Sequence, residues 1–278
     1  MELPVIGTTT AAAAPEALVR AVKRANAELG ALSAARHELE GGTLLVNAER
    51  PTVDGVNAVY DLRMPDGSVA VEVIEQLERA AADAGGQPPR LWAPNDLEVS
   101  GEFRAALEAR SLVRHEVRVM RMDQAPSLDT PPELDLQILP ARAAAPQYRE
   151  LRRVIAAAAA ADGSTTGPDE LADCQLEMLD DTRLDMLVGR LDGSLVAAGG
   201  VFAAGEVGLL WDLATHPDFR ERGVMSSLFL RLLELCARSQ FKVIALECHP
   251  DNARAIHFYE QRGMRRLIDF EVYRRSGT

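Results

Sequence analysis

The sequence predicts an α/β protein made of two similar halves in tandem. Three observations lead there: strand-like and helix-like stretches alternate along the chain, a proline-rich run interrupts the periodicity near its middle, and the two halves end alike. A length of 278 residues agrees, because single domains cluster at about 100 to 150 residues. Each half is long enough to bury its own core.

In the first half, helical spacing covers 15–38, strand-like residues cover 42–47 and 55–62, and a second helical pattern covers 69–83. A strand at 90–93, a helix from about 101 and a strand at 112–120 complete it. The break follows: residues 123–132 read DQAPSLDTPP, three prolines among small polar residues, which ends every neighbouring pattern. We therefore expect a first domain at 1–123, a linker at 124–132 and a second domain at 133–278. Beyond the linker come a strand at 134–139, helices at 144–161 and 168–180, and strands at 184–191, 194–203 and 207–214. A helix at 224–238 follows, whose stripe Val224, Leu228, Leu232 and Leu235 is core packing. A strand at 242–248, a helix at 252–262 and a strand at 265–274 close the chain.

Composition narrows the function. A net charge of −12 disfavours nucleic acid and anionic lipid as partners. The three cysteines, Cys174, Cys236 and Cys248, contain no Cys-x-x-Cys pair, which argues against a disulfide framework or a structural zinc. No apolar run approaches the roughly 20 residues that span a bilayer, and no basic cluster precedes the first apolar stretch. The expectation is a cytoplasmic protein with no membrane or nucleic-acid partner.

Self-comparison is more specific. YDLRMPDGSVAVEVIEQLERAA aligns with WDLATHPDFRERGVMSSLFLRLLELCA across a short gap, and ALEARSLVRHEVRVMRM aligns with FYEQRGMRRLIDFEVYRR. The second alignment pairs Leu107 with Tyr259, Arg110 with Arg262 and Ser111 with Gly263. At the gap, the second copy has Arg220, Glu221, Arg222 and Gly223 where the first has only Gly67 and Ser68. A strand, a turn with a glycine and two arginines, then a helix N-terminus with unpaired N–H groups together make an anion site suited to a pyrophosphate.

The block LLWDLATHPDFRERGVMSSLFLRLL resembles the acyl-CoA signature of the GNAT superfamily of N-acyltransferases, and ALECHPDNARAIHFYEQRGM resembles that superfamily's second signature. Met225 stands where the family pattern has glycine or alanine. The resemblance implies two GNAT-like domains, each a mixed, mostly antiparallel central sheet flanked by helices, the first a degenerate copy. It also implies an acyl-CoA, most simply acetyl-CoA, as cofactor, with no metal, and direct transfer of the acyl group to a small-molecule or peptide amine. Arg220, Arg222, Gly223, Val224, Met225 and Ser226 would form the pyrophosphate turn. Leu213, Ala214 and Thr215 would offer strand-edge groups to the pantetheine arm, with Asn252 near it. Tyr259 would protonate the departing thiolate, a role its counterpart Leu107 cannot fill. A homodimer is compatible with the sequence.

An amine of pKa near 10.4 is protonated at pH 7, and exposing its lone pair costs about 4 to 5 kcal/mol, so a base must assist. Glu247 is the first candidate and Asp212 the second. Asp212 has an acidic counterpart, Asp61, in the copy without the loop, which favours a role in the fold. His249 and His257 lack metal-ligand spacing and read as surface or capping residues. Cys248 beside His249 reads as a buried strand cysteine, because strand neighbours face opposite ways. Arg265, Arg266, Arg274 and Arg275 read as a solvated basic end. Two further readings stand beside the enzyme: a noncatalytic acyl-CoA sensor or scaffold, and an interaction protein without affinity for CoA.

Overall fold

A computed structural model describes residues 15–95, 99–123, 134, 136–161 and 166–275. The expected linker at 124–132 lies outside them. The first half contains α1 (Pro15–Gly30), β1 (Ala35–Leu39), β2 (Gly42–Val46), β3 (Ala58–Leu62), α2 (Ala70–Asp83), β4 (Leu91–Pro94), α3 (Gly101–Glu108) and β5 (Leu112–Met122). The second contains β6 (Gln137–Pro140), α4 (Ala145–Ala161), α5 (Pro168–Met178), β7 (Leu184–Leu191), β8 (Ser194–Ala204) and β9 (Val207–Thr215). It continues through α6 (Val224–Arg238), β10 (Val243–Cys248), α7 (Ala253–Glu260) and β11 (Arg265–Arg275).

All the strands among the described residues join one 11-stranded sheet in the order β1-β2-β3-β4-β11-β5-β10-β9-β8-β7-β6. Its pairs are antiparallel except β3 with β4 and β9 with β10. Each half thus supplies the expected mixed, mostly antiparallel strands, and the halves are joined by exchange. The last strand of the first half, β5, lies between β10 and β11, and the last strand of the second half, β11, lies between β4 and β5. Carrying the equivalence of Leu107 with Tyr259 along the chain makes Val117 the counterpart of Asp269 and Arg118 that of Phe270. Those four face each other in the ladder, Val117↔Phe270 and Arg118↔Asp269, so a local twofold axis passes between them.

Helices cover both faces. On one face α2 and α3 pack in one apolar cluster and α6 and α7 in another. The apolar stripe of α6, Val224, Leu228 and Leu232, is fully buried there, as its helical spacing requires. On the other face α1 lies across strands of both halves, burying Leu18, Val19 and Val22 against Ala58, Phe202, Leu209 and Phe270, with α4 and α5 beside it.

One element departs from the sequence expectation. Helical spacing reaches residue 38, yet the helix stops at Gly30 and Ala35–Leu39 is an edge strand paired with β2. Gly30 sits where a Cβ would meet the Gly55 carbonyl oxygen at 2.4 Å, so the chain turns against another backbone there. Tertiary pairing then overrides the helical propensity of Ala35 to Leu39.

Candidate active site

The site begins with a gap in the sheet. β9 and β10 pair only at Val207↔Val243, Gly208↔Ile244 and Leu209↔Ala245, and past that point they part. The cause is a bulge: the β8–β9 register shifts between Ala198 and Gly200, and Asp212 takes a left-handed φ of 57°. Leu213, Ala214 and Thr215 therefore keep their outer edge free of β10, while Ala214 and Thr215 still pair with β8. The first copy has the same bulge, with Asp61 at φ 50°, but closes behind it. Leu62 pairs with Pro94, and the Asn95 N–H donates to the Leu62 carbonyl at 2.9 Å.

The loop from β9 leads to the N-terminus of α6. Gly223 caps that helix at φ 75°, a conformation that costs glycine little, and Glu221 is left-handed as well at φ 65°. Glu221 is held by Arg254 at 2.8 Å, and the Arg222 guanidinium lies 5.2 Å from the Phe219 ring centroid. Arg220 is exposed beside them. The Val224 side chain is buried, so Val224 offers the loop only its backbone N–H, as the first helical residues do. Ser226 Oγ accepts from Arg262 at 2.7 Å, leaving its N–H for a ligand, and Met225 is partly buried against the α6 and α7 core. The first N–H donors of α6 thus have no helical partner, an arrangement that could hold an anion.

Asn252 caps α7, its Oδ1 accepting from the Ala255 N–H at 3.1 Å. Ser100 caps α3 in the same way, accepting from Phe103, and both helices are eight residues long. Tyr259 therefore occupies the helical position of Leu107. Its ring packs on Phe229 and Phe258, it is 9% exposed, and burial pushes its phenol up to about 12. Tyr259 is thus neutral at physiological pH and keeps its proton.

The two carboxylates lie on the other face, in a cleft of about 470 Å³ between the halves. Asp212 is already ion-paired: its Oδ1 accepts from Arg152 Nη2 at 2.6 Å, and Arg152 Nε donates to Gln175 at 2.6 Å. Burial raises its carboxyl to about 6, against the pull of Arg152. Glu247 on β10 forms no ion pair among the described residues, and its Oε1 is buried without a hydrogen-bond partner. Burial raises it to about 7, offset by Arg274, Lys23 and Asn26. Glu247 and Tyr259 approach from opposite faces of the sheet, and the gap between β9 and β10 lies between those faces.

Three cleft residues carried no signal that sequence reasoning used. Lys23 and Asn26 come from α1 of the first half, and Arg274 belonged to the basic end read as solvated. A lysine on the apolar stripe of α1, 4% exposed, was the available clue. Two others of the basic end are spent locally, Arg265 on Asp123 and Arg266 on Asp269. His249 accepts from the Asp251 N–H at 3.2 Å, and His216 from the Asp218 N–H at 3.3 Å, so both act as local caps. Cys248 is raised to about 11 by burial, which leaves it a thiol. Among the described residues no cluster of His, Cys, Asp or Glu could hold a metal ion, and no helix is long and apolar enough to cross a membrane.

Residues 149–264 match the model of the acetyltransferase (GNAT) family. No curated protein matches the chain. Among solved structures, a conserved protein of unknown function from Staphylococcus epidermidis ATCC 12228 is similar over 88% of this chain and 96% of its own, with 11% identity and a TM-score of 0.62. A GCN5-related N-acetyltransferase from Kribbella flavida is similar over 93% of this chain and 96% of its own, with 11% identity and a TM-score of 0.59. A tandem GNAT protein from the clavulanic acid biosynthesis pathway matches over 80% and 75%, with 14% identity and a TM-score of 0.52. At these identities the likeness is one of fold.

Proposed function

We propose that the second half of this chain, whose residues 149–264 match the model of the acetyltransferase (GNAT) family, transfers an acetyl or other short acyl group from acyl-CoA directly to an amine. The observation that carries the reading is the gap between β9 and β10 beside the N-terminus of α6. Residues 1–123 are the copy that kept the bulge at Asp61 and lost the loop, the opening and the tyrosine.

Acyl-CoA bound there would supply the acyl group as an activated thioester. The α6 N–H groups with Arg220 and Arg222 would hold its pyrophosphate, and the free edges of Leu213 to Thr215 its pantetheine arm, with Asn252 close by. Glu247 accepts a proton from the incoming amine, a task that suits a carboxylate poised near pH 7. On transfer, the amine nitrogen would bond to the acyl carbon as the carbon–sulfur bond breaks, Tyr259 would give its proton to the leaving sulfur, and the second proton lost by the nitrogen would return through solvent to the Tyr259 phenolate. Asp212, tied to Arg152, is the weaker base and instead fixes the bulge that parts the strands.

The test is a screen of amines for thiol release from acetyl-CoA by the full chain. Release with a competent amine supports transfer. Affinity for acetyl-CoA with no release from any amine would turn the reading toward a sensor or scaffold.

A further inference from the structure

Resting on that reading, we propose that the acceptor is an amine that also carries a carboxylate on an apolar linker, with Arg274 binding the carboxylate while Glu247 receives the amine. Most polar groups of the inter-half cleft are already satisfied. Asp54 is neutralised by Arg90 at 2.8 Å. The Tyr60 hydroxyl donates to the Gly55 carbonyl at 3.3 Å, and the Lys23 ammonium donates to the Pro94 carbonyl at 2.7 Å. Asn26 donates to the Val22 carbonyl at 3.2 Å. Asp212 and Glu116 are ion-paired with Arg152 and Arg114 at 2.6 and 2.9 Å. Two strong groups without an ion pair among the described residues are left: Glu247, whose Oε1 is buried with no hydrogen-bond partner, and the guanidinium of Arg274.

These two belong to opposite kinds of surroundings. Glu247 is set against Val119 in the middle of the sheet, whereas Arg274 is exposed near the ends of β4 and β11. Two imidazoles, of His115 and His249, lie in the same cleft as Arg274. His115 faces it, with its imidazole held below the usual range by burial, then by Arg274 and by His249. A mouth whose unpaired charge among the described residues is a guanidinium, on a chain of net charge −12, is a local reversal of sign that attracts an anion. Between the two ends the walls are apolar, with Trp211, Leu209, Phe270 and Val272. An ammonium directed to Glu247, a carboxylate directed to Arg274 and an apolar span between them complement that sequence of surfaces.

The experiment pairs turnover with binding, using 6-aminohexanoate and its amide as probes with the full chain. In the thiol-release assay the carboxylate should be favoured in kcat/KM by about 10- to 100-fold, the range for a charge-assisted hydrogen bond. Arg274→Met, which keeps the aliphatic stem, should abolish that preference, so that carboxylate and amide react with equal kcat/KM whatever the change does to Glu247, and Arg274→Lys should restore part of it. Calorimetric titration of each probe supplies a readout independent of turnover. Arg274-dependent binding of the carboxylate without acetylation would support the subsite while removing the transferase reading. Acetylation of carboxylate and amide at equal efficiency would retain transfer and overturn the subsite, as would a preference that persists in Arg274→Met. Failure of the carboxylate both to bind and to react would overturn it too.

Discussion

Arg118 and Asp269 face each other across β5 and β11, joined by two hydrogen bonds of 2.8 and 2.7 Å, beside the axis that relates the two halves. The guanidinium holds the Asp269 carboxyl below its usual range. This bidentate pair marks the seam where each half delivers its last strand into the other's strands, so neither half has a complete sheet of its own.

It follows that the two halves unfold together. The full chain should show one cooperative urea transition, with coincident circular dichroism and fluorescence curves. A chain of residues 133–278 alone, lacking β5 between β10 and β11, should show no cooperative transition. A sharp independent melt of that fragment would contradict the strand exchange.

How far the sequence discloses this architecture depends on the element. α6 and β7 are legible to the residue, because an uninterrupted apolar stripe and a strand bounded by turns leave little choice. β1 is not, because its backbone answers to β2 rather than to its own helical propensity. The exchange is illegible in principle from local pattern: β5 and β11 read as strands, and periodicity says nothing about which neighbour a strand takes. The loop from Arg220 to Gly223 and the position of Tyr259 are legible because they are local motifs. Lys23, Asn26 and Arg274 enter the cleft only when distant segments come together.

Glu247 as base predicts a rate profile. Its ionised form is the active one, so kcat/KM should rise with pH through about 7 and then level. Glu247→Gln should lower kcat by about 10²- to 10⁴-fold and remove that limb, with acetyl-CoA affinity little changed. A full rate with the acid limb intact would transfer the role elsewhere, Asp212 being next in line.

The same carboxyl makes a prediction about stability. Its folded-state pKa of about 7 lies above the ordinary 4.5, so the folded chain holds a proton that the unfolded chain has released between those values. Folding is therefore favoured least above pH 7, by up to about 3 kcal/mol for this group. The Tm of Glu247→Gln relative to the parent should improve as pH rises from 5 to 8. A difference independent of pH would mean that the carboxyl is not raised.

Tyr259→Phe should reduce kcat by about 10²- to 10⁴-fold while leaving the acid limb in place, because the phenol titrates only near 12 and stays protonated throughout. Phe229 and Phe258 still pack the ring, so Tm should move little. Steady-state kinetics from pH 6 to 9 checks both statements, and an unchanged kcat removes the proton-donor role.

The most direct test is calorimetric titration of the full chain and its Arg220→Glu variant with acetyl-CoA. If linked phosphates rest on the first turn of α6, the parent binds and the exposed reversed charge weakens binding by about tenfold or more. Equal affinity in the two proteins, or no binding by the parent, would contradict the account.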